Sequence, residues 1–245
     1  MEVHAHTHPS TSSGHQKKWT HYLWEFLMLF FAVFCGFLAE YQLEHKIEKE
    51  KGKQYIRSFY HDLKTDTAEF ARLIRNYENK SSALSKRNEC FDSLSTLTST
   101  VNPCLAKLIN NCIGFPDFVN ADQTLLQLKN AGGLRLLNQA DADSILDYDK
   151  LTRLFIRYET TGYQEREYRI REFLYANLNY KSRRLKNNDP TIPILNSNEL
   201  EKINQFFNML EEYAEASDYH LRSLKKLTGK ALSLIHYFKN KYHFD

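Results

Sequence analysis

Histidines crowd the amino end of this chain. His4, His6 and His8 alternate, so an extended backbone would project their imidazoles to one side, and His15 and His21 follow. Imidazoles suit a transition-metal ion, but no carboxylate or thiol fixes a coordination geometry, and a plain solvated tail accounts for the run. A second knot is His61-Asp62 with Asp66. On a helix Asp62 and Asp66 share a face while His61 points elsewhere, and solvated surface accounts for that as well. Of the four cysteines, Cys35 lies in an apolar stretch, leaving Cys90, Cys104 and Cys112. Their odd number and uneven spacing fit neither a zinc site nor a complete disulfide framework. Both one bridge in an oxidising compartment and buried thiols stay open. Arg157, Tyr158, Tyr163, Arg166, Tyr168 and Arg169 intermix as in a stacking surface for single-stranded nucleic acid. Glu165 and Glu167, four residues before Arg169 and Arg171, make a salt-bridged solvated face the simpler reading. There is no phosphate-cradling glycine loop and no nucleophile elbow. No catalytic, cofactor-binding or metal-binding residue is therefore assigned, no cofactor is expected, and the chain is read as not an enzyme.

The elements that would carry any such chemistry begin with one apolar stretch. Tyr22 to Tyr41 contains the unbroken run FLMLFFAVFCGFLA from Phe26 to Ala39, with Glu25 before the run and Glu40 directly after it. A bilayer core of roughly 30 Å needs about 20 mostly apolar residues. Trp19, Tyr22 and Trp24 at one end and Tyr41 at the other suit the headgroup regions. The run has no polar face, which argues against a core helix of a soluble domain. Gly36-Phe37-Leu38-Ala39 lacks the small residue a signal-peptidase site wants two positions before Ala39. An uncleaved anchor over residues 19–41 is expected, with the lipid bilayer as partner and Glu25 reaching the headgroups. Lys17 and Lys18 precede it; Lys46, Lys49, Lys51 and Lys53 follow, interleaved with Glu44, Glu48 and Glu50. The short basic tail favours the amino end inside and the large domain outside.

Composition bounds the remainder. With 245 residues, 42% hydrophobic and 26% charged, the chain can bury a core, and 8 Gly and 5 Pro favour long helices over an all-β fold. A net charge of +3 gives no reason to expect nucleic acid as partner. The expected plan is all-α: a disordered tail over residues 1–18, the anchor, a charged juxtamembrane helix over 42–54, and a helical bundle over 55–245. Ile56, Leu63, Phe70, Tyr77, Leu84 and Phe91 recur at sevens, with Tyr60, Leu73 and Ile74 on the same side, predicting one continuous helix with Gly52 as a possible bend. Pro103 ends what precedes it. A short element over 105–112, a turn at 114–116 and a helix near 122–130 closed by Gly132-Gly133 follow. A long helix from about Asp141 carries Ile145, Tyr148, Leu151, Phe155 and Tyr158, with a kink allowed at Gly162. A loop spans 187–194, and Asn196 with Glu199 has capping-box spacing. In the last helix Ile203, Phe207, Leu210, Ala214, Ser217, Leu221, Leu224, Thr228, Ala231, Ile235 and Phe238 form one stripe. That stripe wants a partner helix along its length, in an antiparallel, coiled-coil-like bundle; either the helix of residues 56–91 or another copy would serve.

Two strings then carry a resemblance. WEFLMLFFAVFCGFLAE, Trp24 to Glu40, and QLKNAGGLRLLNQADADSI, Gln127 to Ile145, resemble an uncharacterised family of single-pass membrane proteins from Bacteroidetes-type bacteria. In that family the second string typically begins Gln-Leu-Lys-Ser-Ser-Gly-Asn-Leu-Arg; here Asn130-Ala131-Gly132-Gly133 keeps the glycine and loses the serines. The resemblance implies a bacterial inner-membrane protein and brings no activity. The expected function is a membrane-anchored scaffold or accessory subunit, partnered by further copies or other membrane proteins. The alternative is a sensory or ligand-binding helical bundle.

Overall fold

The most strongly periodic stretches of the sequence become the longest helices of the computed structural model, which describes residues 19–95, 103–112, 114, 118–184, 195–196 and 200–244. In chain order these are α1 (Trp19–Leu84), α2 (Arg87–Ser95), α3 (Pro103–Cys112), α4 (Gln123–Asn130), α5 (Gln139–Tyr158), α6 (Gln164–Asn177), α7 (Tyr180–Arg184) and α8 (Leu200–Tyr242). A 3-10 turn (Gly133–Leu136) precedes α5 and a π-helical turn (Glu159–Tyr163) joins α5 to α6. The fold is all-α. The tail of residues 1–18, the loop of 187–194, most of the turn at 114–116, the Glu199 half of the capping box and the side chain of Cys112 lie outside the described residues.

The chain divides into two units, Met1–Glu50 and Lys51–Asp245. In the first, helix α1 is long and apolar enough to cross a membrane, and none of its most apolar window is buried. Phe26, Phe30 and Phe34 stack along one side at centroid separations of 6.3 and 5.9 Å. The His21 imidazole lies 3.1 Å from the Glu25 carboxylate one turn away.

In the second unit α1 buries Gly52, Ile56, Phe59, Leu63, Asp66, Phe70, Leu73, Tyr77, Lys80 and Leu84. Apart from Tyr60, which is buried beside Phe59, steps of four and three alternate, the signature of a coiled-coil seam. The row expected at sevens is buried from Ile56 to Leu84, and the long helix reaches on through Phe91, with a two-residue turn at Ser85 and Lys86 where α1 passes into α2. At that turn the Ser85 hydroxyl donates to the Ser82 carbonyl and the Arg87 guanidinium to the Leu84 carbonyl. Phe91 packs from α2. Local side-chain bonds to backbone carbonyls compete with helix continuation.

Helix α8 buries Ile203, Leu210, Ser217, Leu224, Ala231 and Phe238 as expected, together with the row Phe206, Tyr213, His220, Leu227 and Leu234. Phe207 and Ala214 are also buried, whereas Leu221, Thr228 and Ile235 are only half-buried. The seam is thus turned slightly from the apolar stripe. Its partners are intrachain. Phe59 meets Phe238, Tyr77 meets His220, the Ser81 hydroxyl donates to Asp218 at 2.7 Å, and Arg87 pairs with Glu211. Rising numbers in α1 face falling numbers in α8, an antiparallel pair. The α5–α6 rod also runs against α8, with Tyr163 on Tyr213 and Phe173 on Phe206, and along α1, with Phe59 on Tyr148 and Tyr77 on Tyr163.

The start of the rod is fixed by local chemistry. Asn138 caps α5 by accepting from the Asp141 N–H at 3.0 Å. The carboxylate of Asp141 receives Lys241, Tyr237 and Tyr242 from the end of α8 at 2.5–2.8 Å. Burial would push this carboxyl up, but those three donors outweigh it and hold it below the usual carboxylate range.

Gly52 is not a bend. The helix is unbroken at this residue, and the 3-10 turn approaches it so closely that a Cβ would stand 2.5 Å from the Leu136 carbonyl oxygen. Gly52→Ala gains about 1 kcal/mol of helix propensity but must displace backbone, an overpacking that costs about 1–3 kcal/mol. A net loss of roughly 1 kcal/mol is expected in denaturant unfolding; equal or greater stability would show that the turn yields freely.

Candidate functional site

Polar side chains inside the seams are where this bundle concentrates its chemistry, and the π turn assembles them. Thr160, Thr161 and Gly162 are poor helix formers. The Thr160 and Thr161 hydroxyls donate back to the Arg157 carbonyl at 3.0 and 2.8 Å, and the Arg166 guanidinium donates to the Gly162 carbonyl at 2.6 Å. These bonds serve backbone oxygens that a wide turn leaves poorly aligned. Gly162 makes room for the Tyr158 ring, whose Cε2 would lie 2.7 Å from a Cβ there. The extra residue shifts the seam. Ile145, Tyr148, Thr152, Phe155 and Glu159 are buried before it, and Tyr163, Glu167, Ile170 and Leu174 after it.

Five residues from the three rods meet at this point. The Lys80 ammonium, from α1, donates to the Tyr163 hydroxyl at 3.1 Å and to the Tyr213 hydroxyl at 3.2 Å. The two phenol oxygens lie 2.7 Å apart. Tyr213 donates to Glu167 at 3.4 Å, and Glu167 also accepts from the Gly114 N–H at 2.8 Å and pairs with Arg171 at 3.1 Å. His220 stacks on Phe155 and Tyr163, at 4.4 and 5.0 Å, with Tyr77 edge-on at 5.0 Å.

Burial dominates the electrostatics. It pushes Glu167 above its ordinary value despite Lys80 and Arg171, and it pushes the Tyr163 phenol up as well. His220 is fully buried, and burial together with the Lys80 charge lowers its pKa to about 4, so the ring is neutral near pH 7. Its Nε2 stands 3.8 Å from Glu159, beyond hydrogen-bond range, and neither ring nitrogen has a hydrogen-bond partner among the described residues. Chemically, the cluster holds a cation and an anion joined by two phenols, an arrangement that can pass a proton along hydroxyls while fixing three rods in register.

Two clefts open beside it on the α5–α8 side. One, about 310 Å³, has Phe155 and Leu227 at its base and Tyr158, Tyr219, Arg222 and Lys226 around it. The other, about 480 Å³, shares Tyr158, Tyr219 and Arg222 and adds Arg166, Glu212 and Asp218.

The expectations meet this geometry unevenly. His61 is exposed, as expected, but Asp66 is buried, which corrects the solvated reading of that knot. Asp66 accepts from the Tyr148 hydroxyl at 2.7 Å and the Ala121 N–H at 2.8 Å, and Asp62 accepts from the Thr124 N–H at 3.3 Å. Glu165 pairs with Arg169 at the surface, whereas Glu167 turns inward, correcting its place on a solvated face. His4, His6, His8 and His15 fall outside the described residues. Cys90 is buried and Cys104 half-buried. Among the described residues no three His, Cys, Asp or Glu side chains gather as metal ligands. Lys80, Tyr213 and His220 escaped the sequence reading; their seven-residue spacing from apolar seam positions was the available signal. No family model, curated protein or solved structure matches this chain.

Two outcomes test the cluster. Lys80→Met leaves Glu167 buried without its strongest cation and should cost about 3–5 kcal/mol. Adding Glu167→Gln should recover part of that loss, giving a coupling of at least about 1 kcal/mol in a denaturation cycle. For His220, the unfolded ring titrates near 6.5 and the folded one near 4. Below 6.5 the unfolded chain binds the extra proton, so this residue's contribution is intact above that pH and is lost, to the extent of about 3 kcal/mol, as pH falls to 4. His220→Phe should flatten the stability–pH curve over that window, and a curve as steep as wild type would locate the dependence elsewhere.

Proposed function

We propose that this chain is a membrane-tethered helical scaffold or accessory subunit of a bacterial inner-membrane complex, without a catalytic step of its own. One observation carries the reading. Apart from half-buried Leu27, the apolar side chains from Phe26 to Leu38 stay exposed, Phe26 at 66% and Phe37 at 72%, while the seams of the second unit bury theirs. An apolar surface of that extent needs lipid or protein around it. The bundle satisfies its own seams, so recruitment falls to the anchor and to the bundle's charged exterior. The resemblance of Trp24–Glu40 to bacterial single-pass proteins adds the inner membrane, and the basic tail adds a periplasmic bundle. A ligand-binding input domain is the second reading, favoured by the π-helical turn beside two clefts, since such turns often accompany functional sites.

The test uses the full chain in cells. It should stay in the pellet after carbonate washing and, in polymer-excised native discs, should run with the added mass of a second copy or another membrane protein. Lys181→Cys, at an exposed site on α7, should react with an impermeant maleimide in intact cells above the wild-type background. Release into the carbonate supernatant would overturn the tether, and a lone monomer in the discs would overturn the scaffold.

A further inference from the structure

We infer that the cleft between α5 and α8 at Tyr158 and Tyr219 is a binding site for a small aromatic carboxylate. Its size, about 310 Å³, falls at the lower end of the range for small-molecule sites. Its floor is apolar: Phe155 and Leu227 are buried there, with Leu151 half-buried and Leu154 exposed at the rim. Two tyrosine rings, 4.5 Å apart and tilted, stand at one end and offer π faces to a flat ligand. At the rim Arg222 and Lys226 lie one turn apart on α8, and Ser223 also lines the cleft.

The charge pattern decides the ligand class. The residues lining this cleft include two cations and no carboxylate. Neither Arg222 nor Lys226 has an ion-pair partner among the described residues, although the bundle pairs other cations across its surface, as in Lys225 with Glu78 and Arg169 with Glu165. The acids of this face, Glu212, Glu215 and Asp218, line the neighbouring cleft, which Arg222 also borders, and Asp218 there accepts from Ser81. An apolar slot ending in two unpaired cations fits a ring with one carboxylate: the ring enters over Phe155 between Leu154 and the tyrosines, and the carboxylate takes charge-assisted bonds from Arg222 and Lys226. Tyr158 immediately precedes the π turn and its ring also stacks on His220, 6.2 Å between centroids, so an occupant touches the turn directly.

The site does not rest on the membrane tether, and its failure would leave the carbonate result untouched. The test is calorimetric titration of the full chain in lipid nanodiscs, with empty discs subtracted, using 3-phenylpropionate and its neutral amide, 3-phenylpropanamide. The acid should bind saturably at one site per chain, and the amide about tenfold more weakly or worse. Arg222→Gln/Lys226→Gln, both at exposed positions, should weaken the acid about tenfold while leaving the amide unchanged. Leu154→Glu, which sets an anion at the rim of the slot, should abolish binding of the acid with helicity retained by circular dichroism. Absence of saturable binding by the wild type, equal affinity for acid and amide, or undiminished binding by the double variant would each overturn the proposal.

Discussion

The constraint on which this bundle depends is that its coiled-coil seams are not wholly apolar. Asp66 and Lys80 occupy seam positions of α1, and Ser217 and His220 occupy seam positions of α8. A buried charge is tolerated only where partners await it. Asp66 finds them in Tyr148 and Ala121, and Lys80 in Tyr163 and Tyr213. Sliding α1 by one heptad would keep most apolar residues in apolar company and would strand both charges. Leucine and phenylalanine rows supply the driving force for association, at about 1.5–3 kcal/mol per buried side chain. The polar residues select one register from several that apolar packing alone would accept.

The same helices show three outcomes of the contest between desolvation and hydrogen bonding. At Asp66 and Glu167 burial wins, and both carboxyls sit above their ordinary range although each accepts two or more bonds. At Asp141 three donors from the end of α8 win, and the shift reverses. At His220 there is no contest, because the ring has stacking partners and no acceptor within reach. The difference lies in where each group sits. Asp141 is at a helix start, where side chains from another helix end can converge, whereas the middle of a seam offers only the residues directly opposite.

Much of the architecture was legible in the sequence because heptad spacing and the apolar run are strong signals. The row from Ile56 to Leu84 and the shared α8 row from Ile203 to Phe238 are buried as the spacing predicts. What escaped was the second α8 row, because Tyr213 and His220 read as polar interruptions beside the more apolar Ala214 and Leu221. Asp66 and Glu167 escaped for a related reason. A carboxylate beside other charges reads as surface until the partner across the bundle is known, and that partner lies about eighty residues away for Asp66. The two-residue turn after Leu84 is marked by side-chain bonds of Ser85 and Arg87 that leave no periodic trace. Gly52 looked like a weakness in one helix and is a point of contact with another segment.

The wide turn at Glu159–Tyr163 leaves a mark on how the chain can vary. A regular helix would have carried the earlier seam on through Gly162, Arg166 and Arg169; the observed seam runs through Tyr163, Glu167 and Ile170. Each residue of a helix advances about 100° around its axis. Closing this turn into a regular helix at unchanged length would therefore swing all of α6 by that angle, driving two arginines toward the core and carrying the glutamate and isoleucine out, whereas excising one residue with the closure would keep Tyr163, Glu167 and Ile170 on the seam. Length and widening are therefore coupled in this short segment: relatives that lack the widening should be one residue shorter here, or re-patterned at every position from 163 to 177.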